Sequence, residues 1–113
     1  MKIENVLAHV DVSDFDRALS WYEKLFGRAA DRNPMMGTAE WQLAENGGLQ
    51  IYQRSGVPAT VVLGVLEVDA AVEEITRRGI AASVDESLSG QFRIANVVDP
   101  DGNTIVLSSK AGG

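Results

Sequence analysis

The chain has 113 residues, which is enough for one compact domain with a sizeable core but too few for two independent domains. Its net charge of −6 and its pI near 4.6 argue against nucleic acid and against anionic membranes as partners. The absence of cysteine excludes disulfides, thiolate metal sites and cysteine nucleophiles.

The N-terminal segment lacks the charged start and the long apolar core of a signal peptide. No apolar run approaches the roughly 20 residues that a membrane-spanning helix needs. We therefore expect a cytoplasmic protein without a membrane partner.

In chain order, the first half is predicted to form a strand, a helix, a short edge strand and a hairpin. These elements are predicted over residues 5–12, 14–26, 28–33, 40–44 and 49–53. Ser13 suits the N-cap of the helix, and Gly27 is a natural stop for it. The Asn-Gly-Gly run between the hairpin strands is a strong turn signal.

The second half is predicted to repeat this order after a link at residues 55–58. Its strand, helix and three further strands are predicted over residues 60–66, 68–78, 80–84, 91–98 and 104–108. The apolar spacing of residues 12–22 recurs at residues 65–75, which is an offset of 53. The sequence therefore predicts an α+β fold of two paired βαβββ modules, residues 1–54 and 59–110, within one domain of residues 1–113.

The period of two along the strands assigns their faces. Val10 and Val12 share a uniformly apolar face, whereas His9 and Asp11 lie on the opposite, mixed face. Thr60 lies on the mixed face of the repeated strand. If the sheets curve into a cup with the helices outside, these mixed faces form an apolar pocket with a few polar groups.

Four segments carry a resemblance to a known superfamily, and they lie at residues 12–22, 67–72, 78–80 and 99–105. The first reads Val-Ser-Asp-Phe-Asp-Arg-Ala-Leu-Ser-Trp-Tyr, and the last reads Asp-Pro-Asp-Gly-Asn-Thr-Ile. With the duplicated order of elements, they resemble the vicinal oxygen chelate superfamily, which groups glyoxalase I, extradiol dioxygenases and bleomycin-resistance proteins. The resemblance covers nearly the whole chain and implies the cup-shaped fold, but one scaffold of this kind hosts many chemistries.

The resemblance also implies four positions at which the enzymes of the superfamily hold a divalent metal through His, Glu or Gln. In this chain they are Leu7, Gln50, Thr60 and Val106. Only Gln50 is a competent ligand, and Zn²⁺ or Fe²⁺ needs three or four donor atoms. His9 lies one step out of register on the same face. We therefore expect no metal and no other cofactor.

Other residues are candidates for binding a ligand. Tyr52 shares a face with Gln50, and Arg93 lies where members of the superfamily often carry an arginine that points into the cup. Such an arginine can hold an anion, although an exposed edge-strand arginine explains Arg93 equally well. The predicted ligand-binding set is therefore His9, Asp11, Gln50, Tyr52, Thr60, Arg93 and Val106, with no metal ligands and no assigned catalytic residue.

The leading functional hypothesis is a metal-independent protein that binds a small organic molecule, on the pattern of bleomycin-type sequestration proteins. Whether the chain is an enzyme stays open. The alternatives are a divalent-metal lyase, isomerase or dioxygenase, or a metal-free enzyme with His9 as its base. A regulatory role with a vestigial cup is a third hypothesis. The superfamily also predicts a homodimer.

Overall fold

The computed structural model describes residues 1–86 and 90–111. Within them lie seven strands and two helices, in the order expected of a duplicated α+β unit. The strands are β1 (Val6–Val12), β2 (Thr38–Ala44), β3 (Gly47–Gln53), β4 (Thr60–Gly64), β5 (Ser83–Val84), β6 (Phe92–Val98) and β7 (Thr104–Lys110). The helices are α1 (Phe15–Phe26) and α2 (Val68–Arg77).

The strands form one sheet in each half of the chain. The first has the order β1-β3-β2 and the second the order β4-β7-β6-β5. In both, the first strand of the half pairs in parallel with its last strand, β1 with β3 and β4 with β7. The predicted fold class of two related α+β modules is therefore confirmed.

The first half is βαββ rather than βαβββ. The edge strand predicted over residues 28–33 is reduced to one bridge between Arg32 and Glu40. Side chains take the place of a strand at Gln42, whose backbone N–H donates to Asp31 and whose carbonyl accepts from Arg28. The strand predicted over 80–84 is also short, because only Ser83–Val84 pair with β6.

Asp14, and not Ser13, caps α1. The Asp14 carboxylate accepts from the backbone N–H of Arg17 at 3.2 Å, whereas the Ser13 hydroxyl donates to Asp101 of the other half at 2.5 Å. Gly27 ends the helix as predicted, with a left-handed φ of 73° that glycine adopts without steric cost. At the equivalent start of α2, Glu67 makes no side-chain cap.

The core lies between the helices and one face of each sheet. Val10, Val12, Leu49 and Ile51 are buried on the side of α1, and Ile105 is buried on the side of α2. Alternation along the strands leaves the other face of both sheets without a helix. We call this face, which carries His9 in the first sheet and Val62 in the second, the open face.

Buried polar groups join the two halves. The Tyr22 hydroxyl on α1 donates to Asp99 at 2.7 Å, and the side-chain amide of Asn103 donates to the backbone carbonyl of Asp11 at 3.0 Å. Burial and the neighbouring Asp99 carboxylate raise the pKa of the Tyr22 phenol well above its ordinary range. The Asp-Pro-Asp-Gly turn therefore has a structural part, which is to hold the second half against β1 and α1.

Neither helix of the described residues is long and apolar enough to cross a membrane.

Candidate functional site

The parallel pairing of β1 with β3 places His9 directly beside Gln50, and Asp11 directly beside Tyr52. All four side chains lie on the open face, because their neighbours in each strand are buried beneath α1. The structure therefore brings together four of the seven residues predicted to bind a ligand.

Hydrogen bonds connect these side chains to Arg54, which the sequence reasoning missed. His9 Nδ1 lies 3.0 Å from Gln50 Oε1, and His9 Nε2 lies 2.7 Å from Asp11 Oδ1. Arg54 Nε donates to the same Asp11 oxygen at 2.8 Å. His9, Asp11, Gln50 and Arg54 are called the polar cluster below.

Asp11 is the negative charge of the polar cluster. The hydrogen bond from His9, followed by the hydrogen bond and charge of Arg54, holds the pKa of the Asp11 carboxyl below its ordinary value and outweighs the effect of burial. Gly56 closes over this carboxylate, and a Cβ at position 56 would overlap it. Glycine at the link between the halves therefore allows the backbone to approach the cluster.

An aromatic side chain lies beside the polar cluster. The Tyr52 ring meets the His9 ring edge to face at a centroid distance of 6.1 Å, and the Arg54 guanidinium lies 5.4 Å from the Tyr52 ring centre. Arg54 keeps 57% of its side chain exposed and His9 keeps 37%. Arg54 therefore remains able to hydrogen-bond a ligand on the open face, whereas His9, whose two ring nitrogens already have oxygen partners, offers a ligand the exposed part of its ring.

The sequence reasoning missed Arg54 and one further residue, Glu40, and each for a different reason. Arg54 directly follows the last residue of β3, where no alternation rule assigns a face. Glu40 lies beside Gln50 on β2 and is nearly buried, with an ion pair to Arg32 at 3.4 Å. A charged residue at an open-face position signals a solvated side chain, so its burial could be seen only in the fold.

The open face of the second sheet is less polar. Thr60 lies opposite Thr104, and Val62 lies opposite Val106. Val62 and Val98 are 65% and 58% exposed. Thr60 and Val106 therefore lie on the predicted face, but on a surface of small apolar and hydroxyl side chains that contrasts with the polar cluster.

Arg93 lies elsewhere. It lies two residues before Ala95 and four before Val97 in β6. Both of these are buried, so Arg93 shares their face of the sheet, which α2 covers. Its guanidinium donates to Asp69 in the first turn of α2 at 2.8 Å and to Glu86 at 3.3 Å. These two carboxylates raise the pKa of Arg93. The Arg93 side chain therefore points toward α2 and not into the cup, contrary to the expectation from the sequence.

The positions at which the superfamily holds its metal do not supply a ligand set. Leu7 and Val106 have no donor atom, and the Gln50 side-chain oxygen faces His9. A cation between His9 and Asp11 would also meet the positive charge of Arg54. Among residues 1–86 and 90–111, no three His, Asp or Glu side chains are grouped so that they could hold a metal ion.

Comparison with solved structures identifies several proteins of the same fold. A glyoxalase/bleomycin resistance protein from Catenulispora acidiphila is 34% identical, with a TM-score of 0.86 over 93% of this chain and 96% of that one. TnmS3, an antibiotic binding protein from Streptomyces sp. CB03234, is 25% identical, with a TM-score of 0.78 over 98% and 99% of the two chains.

A glyoxalase-related enzyme from Clostridium phytofermentans shares the fold at 13% identity, with a TM-score of 0.75 over 97% of each chain. No protein-family model matches the chain, and no curated protein sequence does.

Proposed function

Because the chain belongs to the glyoxalase/bleomycin resistance protein family, we propose that it binds a small organic molecule on its open face without a metal ion. An antibiotic binding protein of nearly the same length, TnmS3, shares the fold of this chain at 25% identity. The scaffold thus accommodates binding as a function of its own.

The observation that carries this proposal is the hydrogen bonding of His9. The imidazole has an oxygen partner at each ring nitrogen, Gln50 at 3.0 Å and Asp11 at 2.7 Å. Coordination of a metal by His9 would have to break one of these bonds. Leu7 and Val106 have no metal-ligating atom that could complete the ligand set. The arrangement instead supports an oriented histidine that contacts an organic ligand directly.

The two halves of the open face indicate the chemistry of the ligand. On the first sheet, His9 and Tyr52 offer aromatic surfaces, and Arg54 offers hydrogen bonds and an exposed positive charge. On the second sheet, Val62 and Val106 offer small apolar contacts. We infer a ligand with an apolar body and at least one acceptor or anionic group, which Arg54 would hold.

One contact supports a second candidate function. The 2.7 Å contact between His9 and Asp11 is the geometry in which a carboxylate orients a histidine that acts as a general base. A metal-free enzyme in which His9 Nδ1, released from the Gln50 oxygen, removes a proton from the ligand is therefore the alternative. It shares the site and differs only in turnover.

Ligand binding is tested by thermal-shift screening of the purified chain against a library of small aromatic and carboxylate compounds. We expect at least one compound to raise the unfolding temperature, and we expect His9→Ala and Arg54→Ala to lose that shift. Gln91→Ala, at an exposed position outside the open face, is the control that should keep it. If both open-face variants kept the shift, the proposed site would be contradicted.

Metal independence is tested by elemental analysis of protein purified without a chelator. We expect no stoichiometric Zn, Ni, Mn or Fe, and we expect a chelator to leave the unfolding temperature of the protein and of Gln50→Ala unchanged. Stoichiometric metal accompanied by turnover would replace the binding proposal with the metalloenzyme alternative.

A further inference from the structure

A seam runs between the two sheets, bounded by their edge strands β1 and β4. In the described part of the chain, β1 pairs only with β3 and β4 pairs only with β7, so no backbone ladder joins the halves. Asp11, near the end of β1, is joined through Asn103 to Ala59, just before β4. The two strands therefore run in opposite directions along the seam.

One end of the seam is closed by a single side chain. The amide nitrogen of Asn103 donates to the Asp11 carbonyl at 3.0 Å, and its side-chain oxygen accepts from the Ala59 N–H at 2.7 Å. Asn103 is itself buried and also donates to Asp99. The amide of one residue thus bridges the two strands.

The internal repeat places a glycine where the other end would need the same bridge. The 53-residue offset relates Val6 to Ala59 and Asp11 to Gly64. Because Val6 lies beside Gly47 in the strand register, Gly47 occupies the position that Asn103 occupies in the second half. Gly47 has no side chain, so nothing equivalent reaches across to Gly64.

A cavity of about 460 Å³ lies at this second end. This volume falls in the range of about 300–1,000 Å³ that is typical of small-molecule pockets. Every residue that lines it is apolar or glycine, and Gly47 and Gly64 are among them. The principal side chains are those of Val6, Ala8, Phe26, Leu43, Val61 and Leu63.

We propose that this seam cavity is a binding site for a small, uncharged, apolar organic molecule. Its chemistry differs from that of the polar cluster, since no charged or hydrogen-bonding side chain lines it. Burial of apolar surface supplies the binding free energy. The missing asparagine is what keeps the cavity open, and of the residues proposed to bind a ligand on the open face the cavity shares only Val62.

The repeat itself provides the test variant. Gly47→Asn is expected to reach toward Gly64 as Asn103 reaches toward Asp11, and to close the cavity. A Cβ at position 47 meets only the Val6 carbonyl oxygen, at an ordinary 3.7 Å. Gly64→Val is a second variant, because Gly64 lines the cavity and a Cβ at position 64 meets no atom within 4 Å, so the added side chain has room there.

The probe is naphthalene, and its binding is followed by calorimetry and by methyl NMR of Ala8 and Leu63. We expect the unmodified chain to bind naphthalene with shifts at these methyl groups, and each variant to bind it at least ten-fold more weakly. Ser83→Val, which adds the same side chain at an exposed position on β5, is expected to bind like the unmodified chain, as is His9→Ala.

Two results would overturn the proposal. One is the absence of naphthalene binding to the folded, unmodified chain. The other is binding that Gly47→Asn and Gly64→Val leave unchanged, which would place the probe elsewhere. Weaker binding in His9→Ala alone would assign naphthalene to the open face and would leave the function proposed there standing.

Discussion

At the scale of single residues, Asp11 is the carboxylate that holds the polar cluster of the open face together. It accepts from both His9 and Arg54, and these bonds hold its pKa below the ordinary value of 3.8. A carboxyl whose pKa is depressed by folding stabilises the native state above its unfolded pKa, and that contribution is lost as the pH falls through its folded pKa.

We therefore expect Asp11→Asn to lower the free energy of unfolding at neutral pH, and the difference from the unmodified chain to shrink as the pH falls below about 3.8. Urea unfolding between neutral pH and pH 2 measures this difference. A difference that stays constant across the range would contradict the depressed pKa.

A second prediction at this scale concerns the two faces of the strands. Val10 is fully buried beneath α1, so Val10→Asp places an unpaired charge in the core and should cost several kcal/mol, about 3 or more. Val62→Asp makes the same change at a position that is 65% exposed and should cost no more than about 0.5 kcal/mol. Equal losses in chemical denaturation would show that the assignment of faces is incorrect.

At the scale of elements, the two helices start differently although their sequences repeat. Asp14 caps α1 with its carboxylate, whereas Glu67 at the same place in α2 makes no side-chain cap. The longer glutamate side chain is a poor N-cap compared with Asp or Ser.

Asp14→Ala should therefore cost about 0.5–2 kcal/mol of stability, and Glu67→Ala should cost much less. The second variant serves as the matched control for the first. Thermal or urea unfolding of both decides the matter, and a cost at Glu67 as large as that at Asp14 would contradict the difference in capping.

The first half also shows how side chains can replace an edge strand. Arg28 and Asp31 bind the backbone of Gln42, so the outer edge of β2 is satisfied there without a paired strand. Covering an edge in this way also limits its pairing with other chains.

At the scale of the whole molecule, the surface supports association. Phe92 and Val98 are each more than half exposed, although large apolar side chains gain free energy when they are covered. A net charge of −6 is too small to prevent contact between two copies.

We expect a homodimer of about twice 12.1 kDa that buries at least roughly 1,000 Å² in total. Light scattering at micromolar concentration measures the mass. A monomer under these conditions would contradict the prediction.

Local patterns determined the larger part of the fold. The spacing of apolar residues in α1 and α2, the alternation along β1, and Gly27 are each readable within a dozen residues, and each was confirmed. Alternation also placed His9 and Asp11 on the open face and Val10 beneath the helix, because side-chain direction in a strand depends only on position.

Only the tertiary structure decided which groups meet across the chain. The bond from Asn103 to Asp11 joins residues 92 positions apart, and the ion pair of Arg93 with Asp69 turns that arginine away from the open face. The position of Arg54 in the polar cluster and that of the seam cavity beside Gly47 were likewise decided by the tertiary structure. These contacts depend on how two sheets and two helices pack, and no periodicity along the chain encodes that arrangement.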